Sequence, residues 1–169
     1  MKNPTWFEES EDGFLKKERV HMNRKLIFTD TMTGEEYNEM RLSVGWRPIT
    51  EGQAERGLAH TTFLSAARDN GKIVAMGRML FDFGYTAYLG DVIVRPEYQG
   101  TGIGRKVVEL LIDKTMEAAC EGDRIMFILG AAKDKEGFYE RIGFHRRPNE
   151  FSGDGMSMWK TVGEIRHEQ

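Results

Sequence analysis

The stretch Asp91-Val92-Ile93-Val94-Arg95-Pro96-Glu97-Tyr98-Gln99-Gly100-Thr101-Gly102-Ile103-Gly104-Arg105-Lys106 constrains the fold more than any other part of the chain. Its β-branched run reads as a strand, Pro96 stops the strand, three glycines fall within five positions, and a long helical pattern then opens. A glycine-rich turn at a helix N-terminus gathers unpaired backbone N–H groups around one point, at the positive end of the helix dipole. That is an anion site, and phosphate is its most natural occupant.

Spacing separates the phosphate loops. A Walker A loop needs Gly, four residues, then Gly-Lys-Ser/Thr, and no such run occurs. A dinucleotide fingerprint needs G-x-G-x-x-G, whereas Arg105 stands where its third glycine would be. The motif that fits is Gln-x-x-Gly-x-Gly, carried by Gln99, Gly102 and Gly104 and preceded by Val94-x-Pro96. A second block follows at Gly137-Phe138-Tyr139-Glu140-Arg141-Ile142-Gly143-Phe144. Together the two blocks resemble the acetyl-coenzyme A loop and the closing F-Y-x-x-x-G-F signature of the GNAT superfamily of N-acetyltransferases. Many members of that family carry an asparagine about seven residues before the tyrosine, and Ala132 occupies that position here.

The rest of the chain reads as one ordered pattern. Residues 1–24 are charge-rich and aperiodic, an extension or arm carrying Trp6, Phe7 and Phe14, and residues 25–169 form one domain. Residues 26–28 make a short strand. Thr33 with Glu36 marks a helix start, Gly45 its end, and Thr50 opens a second short helix to about residue 59. Residues 63–68 and 73–81 are strands joined through Asn70-Gly71, a hairpin signal, and 86–94 returns as a third. A mostly amphipathic helix covers residues 101–119, a buried strand 125–129, a helix 133–141 and a last strand 156–160. This order predicts an α+β fold, and the resemblance implies a mixed, mostly antiparallel sheet flanked by helices, with a splayed parallel strand pair holding the cofactor.

Composition removes several function classes. A net charge of −3 and a pI near 5.9 give no electrostatic case for nucleic acid or an anionic membrane. The single cysteine, Cys120, excludes an intrachain disulfide and suits a reducing cytoplasm. The first residues show no signal-peptide stretch, and no apolar run approaches bilayer length. The four histidines have no ligand spacing, so no metal site is expected.

The resemblance implies acetyl transfer from acetyl-CoA, as co-substrate, to a primary amine. Such a reaction needs a polarised thioester carbonyl, a neutral amine and a proton for the leaving thiolate. Backbone N–H groups of Val92, Ile93 and Val94 are the expected donors to the cofactor arm and its carbonyl. Gln99, Gly100, Thr101, Gly102, Ile103, Gly104 and Arg105 are expected around the pyrophosphate, with Arg105 or Lys106 adding charge. Tyr139 is the expected general acid, since a phenol with a pKa near 10 keeps its proton at neutral pH. Asp91 is the nearest carboxylate for a general base, with Glu97, Glu140 or a chain of waters as alternatives. Trp46, Arg47, Arg78 and Phe81 are candidates for the acceptor pocket, although an internal carboxylate would satisfy Arg78 as well as a substrate would. A small-molecule amine is the leading acceptor, a protein N-terminus or lysine the second, and a non-catalytic acyl-CoA-binding module the third. A homodimer is expected from unplaced apolar residues at both ends, namely Trp6, Phe7, Phe14, Met156, Met158 and Trp159.

Overall fold

The element boundaries follow from local chemistry. In a computed structural model, which describes residues 25–158, β1 (Ile27–Thr29) leads to α1 (Gly34–Ser43) and α2 (Glu51–Ala59). Thr33 and Glu36 form a reciprocal capping box: the Glu36 amide donates to the Thr33 hydroxyl and the Thr33 amide to the Glu36 carboxylate, at 3.1 and 2.9 Å. Thr50 caps α2 by accepting from the Gln53 amide. β2 (Phe63–Asp69) and β3 (Lys72–Phe81) close through Asn70 and Gly71, both in the left-handed region as the two-residue turn requires. β4 (Thr86–Val94), a single 3₁₀ turn (Pro96–Tyr98), α3 (Ile103–Ala118) and β5 (Met126–Leu129) complete the sheet, and α4 (Glu136–Glu140) follows.

The sheet order is β1-β2-β3-β4-β5. The first four strands are antiparallel neighbours, and β5 lies parallel to β4 after the α3 crossover. On one face Tyr37 and Met40 of α1 and Ala54 of α2 meet Leu64, Ala66, Met76 and Ile93. α3 buries Val107, Val108, Leu111 and Thr115, and it packs on β2 and β3. Gly77 permits that approach, because a Cβ there would stand 3.0 Å from both the Leu111 and Val107 methyls. Each such fully buried aliphatic side chain contributes about 2 kcal/mol of transfer free energy.

The contacts divide the chain into two compact units, Met1–Leu129 and Gly130–Gln169. The sheet and the first three helices belong to the first. Among the described residues of the second are α4, a turn ended by Gly143 and an isolated bridge between Asn149 and Ser152. The expected last strand is not formed over residues 156–158, and its remaining two positions lie outside the described residues. The N-terminal arm lies outside them too. No helix among the described residues is long and apolar enough to cross a membrane.

One pairing fixes α1 to the hairpin. Arg68 donates from both terminal nitrogens to the two oxygens of Glu36, at 2.6 and 3.0 Å, and also to the Gly71 carbonyl. The Arg68 hydrogen bond, with the Thr33 amide adding to it, holds the Glu36 pKa below its ordinary value of 4.5 against a smaller opposing effect of burial. A carboxyl whose folded pKa is depressed stabilises the fold above its unfolded pKa and loses that contribution as pH falls through the folded value. Glu36→Ala is therefore expected to cost about 1–2 kcal/mol at neutral pH, from one cap interaction and one part-exposed ion pair. Urea denaturation checks this, and the gap between variant and wild type should narrow as the buffer is taken well below pH 4.5.

Candidate active site

β4 is paired on both sides only in its first half. The parallel register with β5 runs from Thr86↔Met126 to Leu89↔Leu129, where β5 ends. Residues 90–94 continue along β3 with no strand on their other edge among the described residues. The register with β3 slips by one residue here: Arg78 faces Gly90, but Met76 faces Ile93, so Asp91 and Val92 together oppose Gly77. This is a β-bulge, with Asp91 in the left-handed region at φ 48°. Aspartate tolerates that conformation better than most side chains. The bulge bends β4 and increases its twist where β5 leaves it.

Hydrogen-bond alternation then sets which main-chain groups face the open edge. The Arg95 amide donates to the Val74 carbonyl, so Arg95 points into the sheet. Counting back, Ile93 also points into the sheet, toward Met76, while Val94 and Val92 turn their N–H groups outward. On this alternation the Val92 and Val94 N–H groups face the open edge and the Ile93 N–H faces the β3 ladder.

The loop that follows is anchored at several points. Tyr98 is buried and donates to the Asp69 carboxylate at 2.6 Å. Gln99 donates from its side chain to the Val94 carbonyl at 3.0 Å, tying the loop to the end of β4. Thr101 turns its hydroxyl back onto the Tyr98 carbonyl. Gly100 and Gly102 sit at φ 80° and 85°, with open space where a Cβ would be. The first intrahelical bond of α3 runs from the Lys106 amide to the Gly102 carbonyl. The N–H groups of Ile103, Gly104 and Arg105 therefore have no acceptor within the helix, which is the arrangement that holds a phosphate. Arg105 itself pairs with Glu109 one turn along, at 2.7 Å.

Asp91 lies at the centre of a charged cluster on the α1 side of the bulge. Its Oδ2 accepts from the Tyr37 hydroxyl at 2.7 Å and from Arg78 at 2.7 and 2.6 Å. Arg78 also donates to the Gly57 carbonyl and the Thr61 hydroxyl. Arg78 is thus turned inward as the counter-ion of Asp91, one of the partners its sequence position left open. Arg41 stacks between the rings of Tyr37 and Trp46, its guanidinium carbon 5.7 and 5.5 Å from their centroids. Its Nε donates to the Arg47 carbonyl, and its Nη1 stands 3.8 Å from Asp91 Oδ1. Burial, then the hydrogen bond and charge of Asp91, raise the Tyr37 pKa, so the phenol holds its proton toward that carboxylate.

Of the acceptor-pocket candidates, Trp46, Arg78 and the Arg47 backbone meet around this cluster. The Arg47 side chain is exposed, and Phe81 is buried, packed on Phe83 at 5.1 Å. Tyr37 and Arg41 were not anticipated. Their one-turn spacing on a helix is visible in the sequence, but nothing local connects them to a carboxylate that lies fifty-four positions beyond Tyr37. For Asp91 as a base, protonation at Oδ2 would displace either Arg78 or Tyr37, which leaves Oδ1 as the atom open to an amine.

In the second unit, Tyr139 lies on α4 with its ring edge-to-face against Phe138 and Phe144, at 4.9 and 6.0 Å. The Phe144 amide returns to the Tyr139 carbonyl across the Gly143 turn. Glu140, an alternative base, is held by Arg146 at 2.6 Å, and that hydrogen bond lowers its pKa. Among the described residues no cluster of His, Cys, Asp or Glu could hold a metal ion.

Comparison with known proteins places these features in context. The sequence profile of the Acetyltransferase (GNAT) family matches residues 27–144. An uncharacterized N-acetyltransferase of Pyropia yezoensis is 31% identical over 66% of this chain and 64% of its own length. The chloroplastic serotonin N-acetyltransferase 2 of Oryza sativa is 30% identical over 77% of this chain and 64% of its own. The chain thus spans just under two thirds of the length of these two relatives. A Staphylococcus aureus structure, described as a protein of unknown function and probable acetyltransferase, superposes with a TM-score of 0.70 at 26% identity. That superposition covers 80% of this chain and 99% of the other.

Proposed function

Because the chain belongs to the GNAT acetyltransferase family, we propose that it is an acetyl-CoA-dependent N-acetyltransferase acting on a primary amine of a small molecule by direct attack. The observation that carries this reading is the continuity of two features among the described residues: an open strand edge at Val92 and Val94 running into a helix N-terminus whose first amides have no acceptor within the helix. The first suits an amide-bearing arm that adds like a strand, and the second suits a pyrophosphate. Acetyl-CoA supplies an acetyl group already activated as a thioester. In this reading the Val92 and Val94 N–H groups hold the arm and the acetyl carbonyl, and the amides of residues 100–105 hold the pyrophosphate. Gln99 ties the loop to the end of β4 through one of its two amide hydrogens and keeps the other.

Tyr139 is the proposed general acid, holding a proton at its hydroxyl for the departing thiolate. Asp91 Oδ1 is the proposed site that receives the amine, with deprotonation through it or through water. Trp46, Arg41 and Arg47 are the proposed acceptor contacts. A homodimer remains part of the proposal, supported by Met156 and Met158, which are strongly exposed. The single, exposed thiol of Cys120 suits a reducing compartment such as the cytoplasm.

Thiol release from acetyl-CoA, followed against a panel of amino acids, polyamines, aminoglycosides and peptides, tests the reading. Release with one class of small amine is the expected result. Release with peptides alone would move the acceptor to protein. Binding of acetyl-CoA with no release from any amine would leave a cofactor-binding module.

A further inference from the structure

The cluster around Asp91 carries more positive charge than it uses. Arg78 satisfies the carboxylate at Oδ2 at hydrogen-bond distance, and Tyr37 shares the same oxygen. Arg41 is a second guanidinium for the same single carboxylate, and its nearest approach, 3.8 Å to Oδ1, is too long for a hydrogen bond. Its contact with the Tyr37 hydroxyl is also long, at 3.4 Å. Among the described residues no partner is found for its Nη2, nor a hydrogen bond to Asp91 Oδ1. The Arg41 side chain is 19% exposed, so water solvates it poorly.

Paired with Asp91 only at 3.8 Å, this guanidinium keeps donor capacity that a second anion would complete. A merely structural staple between α1 and the following loop would need only the Nε donor to the Arg47 carbonyl, and a neutral donor would serve. Instead a fork-shaped cation stands over two aromatic rings, with no partner for one terminal nitrogen among the described residues. A guanidinium fork with a donor to spare suits recognition of a carboxylate or phosphate. The exposed Arg47, next to Trp46, adds to the local positive charge.

We propose that the acceptor amine carries an anionic group, a carboxylate or a phosphate, close to its nitrogen, with Arg41 receiving the anion and Asp91 Oδ1 the amine. The inference rests on the N-acetyltransferase reading and narrows its substrate class. The two unused atoms belong to facing groups whose nearest separation is 3.8 Å, so amine and anion are only a few bonds apart. An α-amino acid or a phosphoethanolamine-like amine meets that requirement. A polyamine or a neutral aralkylamine does not.

The test compares acceptors that differ only in the anion. Thiol release from acetyl-CoA is measured with phenylalanine against phenylalaninamide and phenethylamine, and with phosphoethanolamine against ethanolamine. The wild type is expected to favour the anionic member of one pair by at least about tenfold in kcat/KM. The pair that shows it identifies carboxylate or phosphate. Arg41→Gln should bring that ratio near unity, chiefly through the KM of the anionic acceptor, with the acetyl-CoA-induced rise in Tm retained. Arg41→Lys keeps the charge without the fork and should keep a reduced preference, which serves if the glutamine variant folds poorly. Equal or better use of the neutral acceptors, or a preference that survives Arg41→Gln, overturns the inference while leaving the enzyme assignment standing. No thiol release from any amine overturns both.

Discussion

Replacing Gly102 with valine is expected to abolish the rise in melting temperature that acetyl-CoA confers on the wild type. Gly102 stands at the N-cap of α3 at φ 85°, and an added Cβ would meet nothing within 4 Å. The substitution therefore introduces no steric conflict with the protein, only about 1–2 kcal/mol of left-handed strain. Its effect on binding is larger, because a branched side chain at the N-cap crowds the amides of residues 103–105 against a phosphate. Ligand at 100 times its dissociation constant stabilises a folded protein by about 2.7 kcal/mol, and a hundredfold loss of affinity reduces that to about 0.4 kcal/mol. Gly122→Val is the control: Gly122 has φ 90° and equally open surroundings, but it lies after α3 rather than at the loop. It should lower Tm by a similar amount and keep the full acetyl-CoA shift. Wild-type affinity in a folded Gly102→Val variant would falsify the assignment of this loop to the pyrophosphate.

The parts of the structure that could be read from sequence are those governed by neighbours along the chain. The capping box at Thr33 and Glu36, the Asn70-Gly71 hairpin and the limits of β4 each rest on residues a few positions apart. Boundaries moved where a backbone angle intervened. α3 begins at Ile103 rather than at residue 101, because Gly102 is left-handed and the Thr101 hydroxyl is folded back onto Tyr98. α4 begins at Glu136 rather than at residue 133, because Asp134 has φ 65° and cannot continue a right-handed helix. The bulge left only a faint trace, glycines at 77 and 90 inside otherwise apolar strands, which is how a bulge or a close backbone approach often presents itself. Of the cluster that joins Tyr37, Arg41, Arg78 and Asp91, only an internal carboxylate partner for Arg78 was legible. The rest depends on α1 lying over the bulge, a pairing between distant segments that no local pattern encodes.

Tyr139→Phe is expected to lower turnover by about ten- to a thousandfold, the range for loss of a general acid. The substitution removes one oxygen and leaves the ring, so both edge-to-face contacts, to Phe138 and Phe144, persist. Acetyl-CoA should raise the Tm of the variant as it does the wild type, since the proposed cofactor contacts lie on β4 and the following loop. The kinetic pattern is the sharper criterion. A group that acts only as the thiolate departs contributes to the transition state and not to ground-state binding, so kcat and kcat/KM should fall by the same factor with KM unchanged. A fall through KM alone would make the hydroxyl a substrate contact. The pH profile provides a second criterion: a phenol that must be protonated imposes an alkaline limb on the wild-type rate, and phenylalanine has no such group to titrate. The variant should therefore lose that limb along with its rate. An unchanged rate, in conditions where chemistry is shown to limit turnover, would leave Tyr139 with packing as its whole role and pass the proton to water or to another donor.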